Sequence, residues 1–210
     1  PTDSAKSQRV WTGLKKHLSN TKCNELYKSF LSELPEIEQI LSDFIRYVFA
    51  HHKGVENDLG HPGVIAISQI AHKVHREKHR MEAFIRFQLT KDGIYFATIS
   101  PDFNVIPLIV RHFKDRYADQ RWLIYDDKRN YGIHYDPKTS SVTEVIIDMK
   151  PEAKAEFLPA TVCHEDELEW QKLWKGYFTS VNIALRKNKK LHIQHVPMRY
   201  WKYLTEKRDL

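Results

Sequence analysis

Four polar residues in the middle of the chain have the types and spacing of an acid–base or phosphate-binding site. His112 and Arg116 lie one turn apart on a predicted helix. Asp126 lies at the end of a predicted strand, and Arg129 lies in the turn after it. An imidazole and a carboxylate can act as an acid–base pair, and two guanidinium groups can hold a phosphate. The same residues could instead form internal salt bridges that tie the helix to the sheet.

A second candidate site is the stretch HKVHREKHR, which places three histidines on one face of a predicted helix. His72, His75 and His79 recur at i, i+3 and i+7, a spacing that could bind a metal ion. The stretch lacks the paired pattern of a zinc-protease motif, and flanking arginines repel a cation, so we expect no metal here. Glu77 with His79 is a further acid–base candidate, and Arg80 is a candidate phosphate contact. The alternative is a solvated helix face.

The C-terminal end of the chain carries all of its excess positive charge. Between Arg186 and Arg208 there are eight Lys or Arg residues and one acid, whereas the remainder has 25 basic and 26 acidic residues. Such a local field attracts phosphate backbones or an acidic partner. The interleaved aromatic side chains could stack on bases or pack on the preceding helix. The residues expected to contact nucleic acid here are Arg186, Lys189, Lys190, His195, Arg199, Tyr200, Trp201 and Lys202.

Missing motifs exclude several classes of enzyme. The sequence has no phosphate-binding loop of nucleotide hydrolases, no dinucleotide fingerprint and no hydrolase nucleophile elbow. Its two cysteines, Cys23 and Cys163, are isolated, so we expect neither a disulfide framework nor an iron–sulfur cluster, and no cofactor on this chain. No apolar run approaches the roughly 20 residues of a membrane span, and no signal-peptide pattern opens the chain. These features favour a cytoplasmic protein.

These residues are expected to be positioned by an α+β fold in a single domain. Residues 1–82 have helical patterns, of which the clearest is an apolar stripe over residues 37–49. Residues 83–150 predict a sheet of about five strands with one inserted helix, and residues 160–210 predict a helix and a basic segment. We therefore expect an antiparallel sheet packed with an N-terminal group of helices and a long C-terminal helix.

Local signals place several boundaries within this fold. Asp3 or Ser4 can cap the first helix, and the fourth helix is expected over residues 64–81. The runs AFIRFQL and IYFATI, joined by TKDG, predict a hairpin. Trp170 and Trp174 lie four residues apart on the last long helix, a spacing typical of a face buried in the core.

Longer stretches make the chain resemble a bacterial family. The segments EKHR, RFQL, ISPDFNVIPLIVRHFKDRYADQRWLIYDDKRNYGIHYD and EWQKLWKGYFTSVNIALRKNKKLHIQHVPMRYWKYLTE are similar to proteins assigned to DNA metabolism or DNA repair, without an established activity. Members occur beside a radical S-adenosylmethionine (SAM) protein that resembles spore photoproduct lyase. In some proteins a related domain is fused to a uracil-DNA glycosylase-like domain. The resemblance therefore implies DNA and a radical SAM protein as partners.

The resemblance also separates the residues of the histidine-rich stretch. The pattern E-x-H-R belongs to the family motif and His72 does not, which favours Glu77, His79 and Arg80 over a three-histidine metal site. Members carry further residues before the point where this chain starts, so we expect the full protein to have an additional N-terminal segment.

Three functions are compatible with these patterns. The first is a DNA metabolism or repair protein that binds nucleic acid and is accessory to a radical SAM partner. The second is a nucleic-acid-processing enzyme that uses His112 with Asp126, or His79 with Glu77, as acid–base groups. The third is a protein-interaction module whose basic end docks on an acidic partner.

Overall fold

The computed structural model of the chain describes residues 3–51, 54–146, 158–159, 161–181 and 188–207. The chain forms two compact units, and each is described separately. Unit 1 comprises Pro1–His79 with Asp102–Val105, and unit 2 comprises Arg80–Pro101 with Ile106–Leu210. The boundary after His79 falls close to the point where helical sequence patterns give way to strand patterns.

Unit 1 is helical. Its helices are α1 Ser4–His17, α2 Asn20–Phe30, α3 Ile37–His51 and most of α4 Pro62–Phe84. Asp3 caps α1 by accepting a hydrogen bond from the Lys6 amide, as predicted, and Ser19 caps α2 by accepting one from the Lys22 amide. The buried core between these helices includes Leu14, Leu26, Phe44, Val48 and Ile67.

Helix α4 is longer at both ends than predicted. It begins at Pro62, whose ring suits a first turn, and continues to Phe84, so the start of the stretch AFIRFQL is helical. Met81 and Ile85 lie four residues apart and are both buried, and the Ile85 amide donates to the Met81 carbonyl at 3.2 Å. Because burial follows the helical period here, it outweighs the β propensity of the aromatic residues. The first strand is therefore only Gln88–Leu89.

Unit 2 contains a five-stranded sheet. Its strands are β1 Gln88–Leu89, β2 Tyr95–Ile99, β3 Trp122–Asp126, β4 Tyr131–Asp136 and β5 Ser141–Val145, in the order β1-β2-β3-β4-β5. The predicted α+β class and strand number are confirmed. Three pairings are antiparallel, but β2 and β3 are parallel, with Ile99 opposite Asp126. The sheet is mixed because helix α5, Ile106–Arg116, carries the chain back between β2 and β3.

The sheet of unit 2 is packed around a cluster of aromatic rings. Phe113 of α5 meets Trp122 of β3 edge-on at 6.2 Å between ring centroids, and Trp122 stacks on Tyr135 of β4 at 5.3 Å. Strand β4 approaches β3 closely at Gly132, where a Cβ atom would lie 2.6 Å from the Ile124 carbonyl oxygen. Glycine is therefore required at this position by the packing of the two backbones.

The described C-terminal residues of unit 2 include two α-helices and two shorter helices. These are α6 Glu167–Val181, α7 Lys189–His195 and two short 3₁₀ helices, Met198–Tyr203 and Thr205–Lys207. Glu167 is buried, and its carboxylate accepts a hydrogen bond of 2.9 Å from the Leu89 amide of β1, which fixes the start of α6 against the sheet. The predicted C-terminal helix is thus present. Over the ranges described, no helix has both the length and the apolarity needed to cross a membrane.

Candidate functional site

The buried ring of Tyr200 lies beside two arginines that are far apart in the sequence. Tyr200 is 2% exposed, and its ring centroid lies 5.4 Å from that of Phe84 on α4. The guanidinium carbon of Arg80 lies 6.0 Å from the Tyr200 ring centroid, and that of Arg199 lies 4.6 Å from it. Arg199 also donates a hydrogen bond to the Tyr200 hydroxyl. We call these four residues the Tyr200 cluster; it brings the motifs EKHR and VPMRYW together at one ring.

A carboxylate near the C-terminus attaches this segment to the rest of unit 2. Glu206 Oε1 accepts a hydrogen bond of 2.8 Å from Arg86 Nη2, and Oε2 accepts one of 2.9 Å from Trp174 Nε1. Burial acts to raise the pKa of Glu206, but the hydrogen bonds and positive charge of Arg86 outweigh it and hold that pKa below its usual value. Trp201 is fixed in turn, because its Nε1 donates to the Val196 carbonyl at 2.9 Å.

Most of the predicted nucleic-acid contacts at the C-terminal end are exposed. The exposed ones are Lys189, Lys190, His195, Arg199 and Lys202. Trp201 is half-buried, whereas Tyr200 lies in the interior, so the stacking on bases expected of Tyr200 does not fit its burial. Its ring instead supports two guanidinium groups. Arg186 lies outside the described residues.

Asp126 and Arg129 form an ion pair at the carboxyl end of β3. Asp126 Oδ2 lies 2.8 Å from Arg129 Nη1, and the two side chains are 0% and 10% exposed. Burial raises the pKa of Asp126, although hydrogen bonds and the charge of Arg129 act in the opposite direction. Arg129 Nη1 also donates to the Pro101 carbonyl at 3.2 Å. The pair therefore ties the turn after β3 to the loop after β2.

His112 is not joined to Asp126, so the described structure does not contain the acid–base pair expected from the sequence. The Nδ1 atom of His112 lies 3.7 Å from Glu82 Oε1. Asp126 is level with Ile99 at the carboxyl end of the parallel strands. His112 is the seventh residue of α5, which places it about 9 Å along a helix that leads away from that end.

Arg116 and Arg129 lie at opposite ends of β3, which argues against the shared phosphate site expected from the sequence. Arg116 is the last residue of α5, which returns the chain to the amino end of β3. Its Nε donates to the Tyr117 hydroxyl at 3.3 Å. Arg129 follows the carboxyl end of the same strand, and five residues of strand span about 16 Å. The two arginines are close in the sequence, but the sequence does not reveal that they lie at opposite ends of β3.

The second acid–base candidate, Glu77 with His79, belongs to unit 1. The two side chains of this pair differ in burial. Glu77 is 1% exposed, and its Oε1 accepts a hydrogen bond of 3.0 Å from the Asp102 amide. His79 is exposed. Residues two apart on a helix do not face each other, which explains the difference. In the part of the chain that the structure describes, which includes His72 and His75, no three His, Cys, Asp or Glu side chains converge on a common point that could hold a metal ion.

Residues 35–206 match a protein family described as a domain of unknown function, DUF4130. The chain belongs to this family. No curated protein and no solved structure matches the chain. The matched DUF4130 region contains the whole Tyr200 cluster, Glu206 and the Asp126–Arg129 pair.

Within the DUF4130 region, α6 exposes a face that its spacing predicts to be buried. Five apolar side chains at i, i+3, i+4, i+7 and i+11 are between 41% and 62% exposed: Trp170, Leu173, Trp174, Tyr177 and Val181. We call these five residues the α6 apolar face. One sequence signal could have revealed it. Together with the half-buried Phe178, the apolar residues of α6 cover an arc wider than one core-facing stripe requires.

Proposed function

We propose that this protein binds nucleic acid and that Arg80 and Arg199 contact its phosphates. The observation that carries the proposal is the Tyr200 cluster, in which guanidinium carbons from two distant motifs lie 6.0 and 4.6 Å from one ring centroid. A guanidinium interacts with an aromatic ring through its face and with a phosphate through its edge, so the two interactions are compatible. Holding the side chain against a ring also lowers the entropy that binding would cost.

The C-terminal segment that contains Arg199 carries further positive charge, which supports an anionic ligand. Lys189 and Lys190 are exposed at the start of α7, and Lys202 is exposed in the same 3₁₀ helix as Arg199. Glu206 is the one acid between Arg186 and Arg208. Its carboxylate already accepts hydrogen bonds from Arg86 and Trp174. A field of this kind attracts phosphate backbones regardless of base sequence.

Binding is favoured over catalysis as the role of this chain. The enzyme hypothesis requires a general acid and a general base within hydrogen-bond reach of one reacting group. His112 instead lies beside Glu82, and Asp126 is paired with Arg129. Glu77 is buried while His79 is exposed, so this second pair is not assembled either.

We extend the proposal to DNA as the nucleic acid, in metabolism or repair, with a radical SAM protein as the partner. The resemblance of the EKHR and C-terminal segments to a family assigned to those processes supports this extension. Co-purification of the two proteins from cells, with and without nuclease treatment, tests it. Loss of the partner on nuclease treatment would assign the link to DNA, and its retention would assign it to a protein contact, as the interaction-module alternative requires.

The experiment for the main proposal is a fluorescence-anisotropy titration of single- and double-stranded DNA at several salt concentrations. We expect tight binding at about 50 mM salt that weakens as salt rises, because counterions are released from the phosphates. The variants Arg80→Gln and Arg199→Gln should each weaken binding and reduce the slope of log K against log salt by about 0.9 on double-stranded DNA.

Arg111→Gln provides a matched control. Arg111 lies on α5, and its side chain is 93% exposed. The substitution removes the same charge away from the Tyr200 cluster, so DNA binding by this variant should keep the wild-type dependence on salt. Thermal unfolding of all three variants checks that the fold is retained. Absence of salt-dependent binding by the wild-type protein would overturn the proposal. Equal effects of all three variants would overturn the assignment to the Tyr200 cluster and leave only a general effect of net charge.

A further inference from the structure

The α6 apolar face exposes five apolar side chains along one helix. Trp170 and Tyr177 are 62% and 60% exposed, and Leu173 between them is 57% exposed. The hydrogen bond from Trp174 Nε1 to Glu206 orients this indole ring on the face. Contiguous exposed apolar side chains, especially Trp and Tyr, are typical of interfaces.

Unit 1 presents an apolar groove between α1, α2 and α3. Its volume is about 690 Å³, and its walls include Val10, Trp11 and Leu14 of α1, Tyr27 and Phe30 of α2, and Ile45 of α3. Phe30 is 59% exposed and Tyr27 is 41% exposed at its rim. The groove is lined by side chains of three helices and is suited to the apolar face of a fourth, the mode of recognition in which an amphipathic helix lies in a groove.

The charges beside these two surfaces are opposite in sign. Helix α1 carries Lys6, Arg9, Lys15 and Lys16 and contains no acid. The Nζ atom of Lys15 lies 5.6 Å from the ring centroid of Trp11, which places a positive charge at the groove itself. The exposed acids Glu165 and Asp166 directly precede α6, and the exposed Glu169 lies in its first turn. These acids would repel the phosphates of a nucleic acid and attract the cations of α1.

We propose that the α6 apolar face of one molecule docks in the groove between α1, α2 and α3 of a second copy of this chain. Both halves of the contact are present on one chain, and their apolar surfaces and charges are complementary. Because a surface patch meets a different pocket, the contact is heterologous. It closes into a dimer when each copy supplies both halves and extends into a chain when the geometry does not close. The proposal is independent of nucleic-acid binding.

The test measures molar mass by light scattering on wild-type protein and two variants over a series of concentrations. Leu173→Asp places a charge on the α6 apolar face, and Phe30→Asp places one in the groove. Both positions are more than half exposed, so the variants should fold. We expect the wild-type protein to associate and each variant alone to be monomeric. Leu59→Asp changes a 74% exposed apolar residue outside both surfaces and should leave association unchanged.

Mixing the two variants makes the test specific. The Leu173→Asp molecule keeps an intact groove, and the Phe30→Asp molecule keeps an intact α6, so an equimolar mixture should regain one contact and form a heterodimer. Wild-type protein that stays monomeric at every concentration would overturn the proposal. It would also fail if Phe30→Asp alone still associated, since that result indicates α6 pairing with α6. A mixture that forms no complex would exclude the heterologous contact.

Discussion

Arg86 and Glu206 are 120 residues apart in the sequence and are joined by a hydrogen bond of 2.8 Å between Nη2 and Oε1. The Glu206 side chain is 5% exposed and that of Arg86 is 25% exposed. Arg86 follows the end of α4, and Glu206 lies in the last 3₁₀ helix, so the pair holds the C-terminal segment close to α4. The contacts of Tyr200 with Arg80 and Phe84 also join these two segments.

Glu206→Gln should destabilise the protein by about 2 kcal/mol, because it removes the charge from a mostly buried pair while keeping the shape of the side chain. The expected loss is moderate since Arg86 also donates to the Ala83 carbonyl at 2.8 Å. Urea unfolding should show a lower midpoint with an unchanged slope. Asp115→Asn removes an acid from the exposed pair with Arg111 and should leave the midpoint unchanged. A midpoint for Glu206→Gln equal to wild type would show that the pair contributes nothing.

The stabilisation by Glu206 should depend on pH. Its pKa in the folded protein lies below the reference value of 4.5. A carboxyl group whose pKa is lowered by folding contributes stability that is present above the unfolded pKa and is lost as pH falls through the folded pKa. The difference in unfolding free energy between wild type and Glu206→Gln should thus be constant near neutral pH and shrink as pH is lowered below 4.5. A difference independent of pH in urea titrations from pH 7 to 3 would contradict this assignment.

Asp126 and Arg129 should show strong coupling in a double-mutant cycle. Asp126→Asn alone removes the charge opposite a guanidinium that is 10% exposed, and it should cost about 3 kcal/mol. Arg129→Met alone should cost a similar amount, because it leaves a buried carboxylate without its cation. The double variant should lose less than the sum of the two single losses by at least about 1 kcal/mol. Additive losses in chemical unfolding would mean that the ion pair is not a stabilising unit.

Substitution of two glycines by alanine should change the stability of the protein in opposite directions. Gly132→Ala should destabilise the protein by about 3 kcal/mol, because the new Cβ atom would lie 2.6 Å from the Ile124 carbonyl oxygen. This oxygen belongs to the backbone of β3, which cannot shift without disturbing the sheet. Gly176→Ala should stabilise it by about 1 kcal/mol, because this exposed glycine lies within α6 and a Cβ there would meet nothing within 4 Å. Thermal unfolding measures both. A neutral Gly132→Ala would show that β3 and β4 are less closely packed than described.

Much of the fold could be predicted because its signals are local. Asp3 is followed by an amphipathic helix, and TKDG lies between two apolar runs, so each pattern is contained within a few residues. The direction of β2 relative to β3 is not local. It depends on how α5 crosses the sheet, and an apolar strand pattern is the same in either direction.

The candidate site was harder to predict for the same reason. The grouping of His112, Arg116, Asp126 and Arg129 follows from their nearness in sequence, but α5 places Arg116 at the amino end of β3 and Arg129 follows the carboxyl end. The charge excess near the C-terminus was visible in composition. The contact between Arg80 and the Tyr200 ring was not visible in the sequence, because a cation–aromatic contact between residues more than a hundred positions apart leaves no periodic pattern.

The parallel pairing of β2 with β3 has a consequence for the kinetics of folding. Strands β3, β4 and β5 are joined by tight turns, so their pairing closes short loops and costs little entropy. Pairing of Tyr95 with Trp122 must instead close a loop that contains all of α5. Contacts of this longer range slow folding. We therefore expect the β3–β4–β5 meander to form first, and docking of the β1–β2 hairpin to be the slower event that completes the sheet.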